Sequence, residues 1–217
     1  VKLLRELVTE TTHTVDAEKN LYLSGIAVMC EEENQNGRIY KTDIMAPEIN
    51  RYIKESIQAN RAYGEADHPQ SCEISIDRIG VLWTECTQDG NLFHGKCKVL
   101  PTAPGNTINA IVSHGGVVGF STRGLGDVIT ESSGKSIVSN YRMITLGDVV
   151  VNPSVGSRAL AISIMESTEW MLDANGKYIP MQETIETAKK ELSKASLNQF
   201  DEVAMRQYIK FISLCRG

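Results

Sequence analysis

Strand periodicity through the middle of the chain constrains its fold more than any other feature. From Ser136 to Pro153 the run SIVSNYRMITLGDVVVNP alternates and then becomes continuously apolar, and it stops at a proline that cannot donate to a ladder. LYLSGIAVMC, residues 21–30, is a second strand-forming run and leads into the acidic turn region EEENQNGR. EISIDRIGVLWTEC and NLFHGKCKV, separated by Gln88-Asp89-Gly90, read as a β-hairpin, and VVGFSTR as the next strand. Ser121 then leaves that strand, and the polar stretch from Asp127 to Lys135 reads as a loop. Two short helices interrupt the strands. One holds Pro47 in its first turn and carries Ile49, Ile53 and Ile57 on one face; the other opens at Pro104-Gly105 and ends at Gly115-Gly116.

Beyond Trp170 the character changes. DANGKYIP is a turn-rich connector, followed by an apolar stripe of Met181, Ile185, Ala188 and Leu192, then a second of Phe200, Val203, Tyr208, Phe211 and Cys215. The expected organisation is one domain over residues 1–170 and a helical tail over 171–217, separable or packed on the core. At 217 residues with 41% hydrophobic content, the chain can bury a real core and is not disordered.

Charge narrows the partners. Lys and Arg total 22 against 27 for Asp and Glu, with no basic run, so direct nucleic-acid binding is not expected. No apolar window is long enough for a membrane span and no signal-peptide order is present, so a soluble, intracellular protein is expected. The cysteines at 30, 72, 86, 97 and 215 form no C-x-x-C pair, which argues against structural zinc and a disulfide framework; no metal or cofactor is expected.

Three segments carry candidate chemistry. His68 stands in Gly64-Glu65-Ala66-Asp67-His68-Pro69, a loop that either holds one imidazole or is a solvated turn. Ser121 stands in Gly119-Phe120-Ser121-Thr122-Arg123-Gly124-Leu125-Gly126, and a serine needs a base such as His68 before it can attack a carbonyl. Asp148 opens the apolar run Asp148-Val149-Val150, where it can orient an imidazole, pair with Arg123 or Arg142, or cap a strand. Cys72 is a rival nucleophile in a polar loop without glycine framing.

Taken in order with Asn152-Pro153-Ser154 and Asn36-Gly37-Arg38-Ile39-Tyr40, these blocks resemble the prohead core serine proteases of T-even-type phages, themselves similar to herpesvirus assemblin proteases. The resemblance covers residues 20–160. It implies an α+β, β-rich fold, a mostly antiparallel β-barrel of the assemblin type ringed by helices, with a C-terminal helical tail. It also implies His68, Ser121 and Asp148 as a catalytic triad, with Arg123 and Gly124 as oxyanion or substrate-binding candidates. Arg78, Arg142 and Arg158 join Arg123 as candidates for a carboxylate-binding pocket, because the family cuts after Glu in Leu/Ile-x-Glu. Implied substrates are phage major capsid and scaffolding core proteins within the assembling prohead in host cytoplasm, cut by a homo-oligomer. Self-cleavage is expected after Glu166 and Glu6. The alternative is a non-catalytic capsid or scaffold component whose helical tail is an interaction arm.

Overall fold

The computed structural model describes residues 2–8, 11–34, 36–67, 69, 71–131, 134–151, 170–172, 178–194 and 204–206. His68, Arg158 and Glu166 lie outside the described residues. Strands β1 (Lys2–Val8), β2 (Thr12–Val15), β3 (Leu21–Met29) and β4 (Arg38–Tyr40) precede helix α1 (Thr42–Tyr52), which continues into a wider π-type turn, Ile53–Ile57. Then follow β5 (Tyr63–Glu65), a 3-10 turn (Ile76–Arg78), β6 (Ile79–Asp89), β7 (Leu92–Val99), α2 (Ala103–Ser113), β8 (Gly119–Thr130) and β9 (Ser136–Val150). A short hairpin, β10 (Trp170–Leu172) with β11 (Tyr178–Pro180), leads into α3 (Met181–Lys194).

The strands form a five-stranded sheet of order β2-β3-β7-β6-β5, a four-stranded sheet of order β1-β8-β9-β4, and the separate pair β10-β11. All ladders are antiparallel except β4 on β9. Among the described residues no ladder closes either sheet into the expected assemblin-type barrel; β2 and β5 are edges of one sheet, β1 and β4 of the other. At one corner the two sheets are joined by a parallel bridge, Ala66 to Val149.

Exposure follows the pleat. On β7, Phe93, Gly95, Cys97 and Val99 are buried while His94 is exposed, as a strand with one wet face requires. Residues 119–126 of β8 and 145–150 of β9 are buried throughout, so this end of the four-stranded sheet is covered on both faces. On one face the Thr122 hydroxyl donates to the Ala27 carbonyl of β3 at 2.8 Å. On the other the Arg123 guanidinium donates to the Ser71 carbonyl at 2.6 Å. Trp83 sits at the centre of the core, its ring 4.6 Å from that of Phe120 and its Nε1–H donating to the Gly147 carbonyl at 2.9 Å.

Several local expectations change. β8 runs on to Thr130, because Asp127 to Thr130 pair with Ser136 to Ser139, so only the segment around Gly134 turns. Helix α1 starts at Thr42, which places Pro47 inside it, where its missing N–H deprives the Asp43 carbonyl of a helical partner. The hairpin turn is Gly90-Asn91, with Gly90 at φ 59°, since Asp89 already pairs with Leu92. Tyr178–Pro180, expected in a connector, forms the strand β11. α2 matches its signals: the Thr102 hydroxyl caps the Gly105 N–H at 3.1 Å, and Gly115, at φ 82°, closes the C-terminus.

Gly64 is required by close approach: a Cβ there would lie 2.4 Å from the Gly147 carbonyl oxygen and 2.7 Å from Val81. Gly64→Ala is expected to cost ~1–3 kcal/mol of stability through this backbone collision. Urea unfolding measures it, and a midpoint equal to that of the parent would refute the packing argument.

Candidate active site

Ser121 is the third residue of β8 and lies opposite Asp148 of β9 in the ladder. Directly opposed residues of neighbouring strands project to the same face. The Ser121 side chain is fully buried and its hydroxyl has no hydrogen-bond partner among the described residues. A buried hydroxyl without a partner is costly in a folded protein and marks a position kept for something other than packing.

Beside it lies a cluster of buried charge. Arg123, Glu65 and Asp148 are all 0% exposed. Arg123 Nη2 donates to Glu65 Oε2 in a very short contact and to Asp148 Oδ1 at 3.2 Å. Arg123 Nε and Asp148 Oδ2 lie 2.9 Å apart as an ion pair without the alignment of a hydrogen bond. Nη1 donates to the carbonyls of Ser71 at 2.6 Å and Glu73 at 3.4 Å. The carboxylates are tied further, Asp148 Oδ1 accepting from the Glu65 N–H at 2.9 Å and Glu65 Oε1 from the Ser75 N–H at 2.7 Å. Desolvating such ions costs several kcal/mol each, and only this degree of pairing offsets it.

The approach to His68 is built onto β9. Ala66 bridges to Val149, the Asp67 N–H donates to the Val149 carbonyl at 2.9 Å, and Arg78 Nη2 donates to the Ala66 carbonyl at 3.1 Å. Asp67 adopts φ 64°, turning the chain immediately before His68. Thus the segment carrying the candidate base runs from the neighbour of Asp148, on the strand paired with that of Ser121.

The sequence profile described as prohead core protein serine protease matches residues 2–169. The chain belongs to this family. It is 27% identical over 174 residues to the prohead core protein protease of Enterobacteria phage T4, covering 77% of this chain and 82% of that protein. The solved structure of the bacteriophage T4 capsid assembly protease superposes with a TM-score of 0.66 at 24% identity, covering 70% of this chain and 98% of that one. That likeness establishes the β-rich α+β fold.

Within this prohead core protease fold the other nominated residues sort clearly. Ser121 does not leave its strand but sits inside it, and the glycine-rich run that follows continues β8, flanked by β1 and β9. Gly124 is there for space, since a Cβ would lie 2.3 Å from the Tyr141 ring. Arg123 faces two carboxylates instead of solvent. Asp148 stands third from the end of a long strand and does not start one, with Arg123 against both of its oxygens. Arg142 is largely exposed, 3.8 Å from Glu55, and Glu6 lies in edge strand β1 opposite Thr122. His114 Nδ1 contacts the Ala110 carbonyl at 2.8 Å, a helix-end role, and His94 is exposed. Glu65 was not singled out from sequence; its signal was an acid between Gly64 and Ala66 with a lone arginine in an otherwise uncharged buried run elsewhere.

The cysteines among the described residues are poor nucleophiles. Cys72 is buried and packs against Leu125, not in an open polar loop. Burial pushes the thiol of Cys30 up to about 11 and that of Cys86 up to about 12, and raises Cys97 further still. Iodoacetamide at about pH 8 is therefore expected to alkylate Cys30 and Cys97 rapidly only after unfolding. Mass spectrometry of native and urea-treated protein checks this, and equal rates in the two states would contradict the burial.

Proposed function

We propose that this chain is a serine endopeptidase in which Ser121 is the nucleophile, His68 the general base and Asp148 the acid that completes the triad. The observation that carries the reading is the fully buried Ser121 hydroxyl, without a partner among the described residues and directly opposite Asp148, with the residues leading into His68 bonded to Val149 next door. In this mechanism His68 takes the Ser121 proton as the oxygen attacks the scissile carbonyl, then returns it to the leaving amine; water deacylates the enzyme. Asp148 supplies negative charge toward the protonated imidazole, while Arg123 keeps its carboxylate oriented.

The substrates we propose are capsid and scaffolding core proteins cut after Glu in Leu/Ile-x-Glu, inside the assembling prohead in the host cytoplasm, with the enzyme acting as a homo-oligomer. Of the four matching tripeptides in the chain, those ending at Glu6 and Glu166 are the proposed sites, and Ile53-Lys54-Glu55 and Ile129-Thr130-Glu131 are not. Leu4-Arg5-Glu6 lies in β1, hydrogen-bonded along β8, and must leave the sheet before it can be cut. Ile164-Met165-Glu166 precedes β10, so cleavage after Glu166 would release the β10-β11 hairpin and α3 as one piece and spare the proposed triad. The domain boundary of this reading stays near residue 170, close to that cut. The assemblin-type barrel remains part of this reading, the corner bridge between Ala66 and Val149 being the joint from which closure would start.

A serine-directed fluorophosphonate is expected to label Ser121, and Ser121→Ala and His68→Ala each to lower turnover by roughly 10⁵- to 10⁶-fold, with little further loss in the double variant. A non-catalytic scaffold component would show neither labelling nor turnover. The acid limb of kcat/KM should fall as the base takes up its proton, so a profile flat between about pH 5 and 8 speaks against a histidine base.

Self-processing is expected to remove the segment after Glu166 in the parent and, more slowly, to cut after Glu6, while Ser121→Ala stays full length. Intact-mass measurements over time decide this; loss of the tail from Ser121→Ala, or an unchanged cut in Glu166→Gln, would overturn it.

A further inference from the structure

We infer that Arg123 is a positioning residue: its guanidinium holds both ends of the loop that carries His68 against the strands that carry Ser121 and Asp148. This inference rests on the function proposed above. Glu65 and Ser71 stand three residues to either side of His68. Arg123 binds the side chain of the first and the carbonyl of the second, reaches on to Glu73, and is braced from behind by Asp148. One planar group thus closes the loop at its base. A loop pinned at both ends samples far fewer placements of its central side chain, and placement within an ångström decides rates of proton transfer and attack.

A role in binding substrate or an oxyanion is at odds with the geometry. Both terminal guanidinium nitrogens donate to acceptors within the protein, Nε lies 2.9 Å from Asp148 Oδ2 as an ion pair, and the side chain is 0% exposed. Lysine would carry the same charge, but a single ammonium cannot span the Ser71 carbonyl, Glu65 and Asp148, which lie in different directions around the fork. A purely structural ion pair would stabilise the fold without selective effect on turnover, and this is the distinction the experiment reads.

The test uses the full chain and a peptide containing Ile-x-Glu. Arg123→Ala is expected to lose about 100-fold in kcat with KM within about threefold of the parent. Arg123→Lys should not recover parental kcat, whereas added methylguanidinium should restore at least about tenfold to Arg123→Ala and nothing to Ser121→Ala. An unchanged kcat, or a raised KM with kcat intact, would overturn the inference, the latter by making Arg123 a substrate ligand. If Arg123→Ala fails to fold, Glu65→Gln keeps the shape and removes one charge; it should lower kcat by at least about tenfold, and a parental kcat would be fatal to the clamp. Hydrogen exchange tests the clamp apart from catalysis. The Glu65 and Ser75 amides, bonded to Asp148 and Glu65, should exchange at least about tenfold faster in whichever variant folds, and unchanged exchange would refute the clamp. If the parent neither hydrolyses the peptide nor takes the fluorophosphonate, the proposed function fails, and exchange alone then decides the clamp.

Discussion

A guanidinium removed from water must meet acceptors around its whole edge, and much of the site's architecture follows from satisfying Arg123. Its acceptors come from separate parts of the chain: Glu65 at the end of β5, Ser71 and Glu73 in the segment that follows, and Asp148 on β9. Neither acid could be buried without the arginine, nor the arginine without them. Removing the arginine strands two carboxylates in the interior, and the cluster ties β5, β8, β9 and the Ser71 and Glu73 carbonyls together. The backbone bonds at Asp67 and Ser75 carry the same junction outward.

The hydrophobic core provides the rigid side of that junction. Trp83 fills the space between the sheets, and the carbonyl it bonds, that of Gly147, belongs to the residue immediately before Asp148. Gly64 meets the same carbonyl from the other direction, immediately before Glu65. Thr122, next to Ser121, is bonded to the carbonyls of Ala27 and Leu146. Each proposed site residue on β8 and β9 therefore has a chain neighbour locked into the core, and strand alternation turns the site side chains to the opposite face.

The amount of this legible in the sequence depended on how local the cause was. Strands β3, β6, β7 and β9 announce themselves through alternation and turn residues, and α2 through Pro104-Gly105 and Gly115-Gly116. The extension of β8 through Asp127 to Thr130 did not, because its polar residues pair with β9 where one face is open, and polarity alone resembles a loop. The short strand β11 owes its existence to Trp170–Leu172, not to its own composition. Ser121 and Asp148 could be nominated from their glycine-framed and apolar settings, and pairing of Asp148 with Arg123 was one of the open alternatives. Glu65 could not be joined to them, because 58 residues separate it from Arg123 and only the tertiary fold brings them together.

Access to Ser121 follows from the same geometry. In many proteases an extended peptide adds itself to a free strand edge beside the nucleophile. Here both edges of β8 are taken, one by β9 and the other by β1, whose Leu7 lies opposite Ser121. One face is closed as well, since Thr122 is bonded into β3. For the proposed nucleophile this leaves the face shared by Ser121 and Asp148, the side on which Arg123 meets the Ser71 and Glu73 carbonyls. In the proposed mechanism, the guanidinium tied to Glu65 and Ser71 bears on both the alignment of His68 and the entry of the peptide. Tight clamping favours alignment for proton transfer, and loosening favours entry of the peptide. A buried arginine fork bonded to carbonyls on one side and carboxylates on the other lets the carbonyl contacts yield while the charged pairs hold, because a charge-assisted bond is roughly twice as strong as a neutral one.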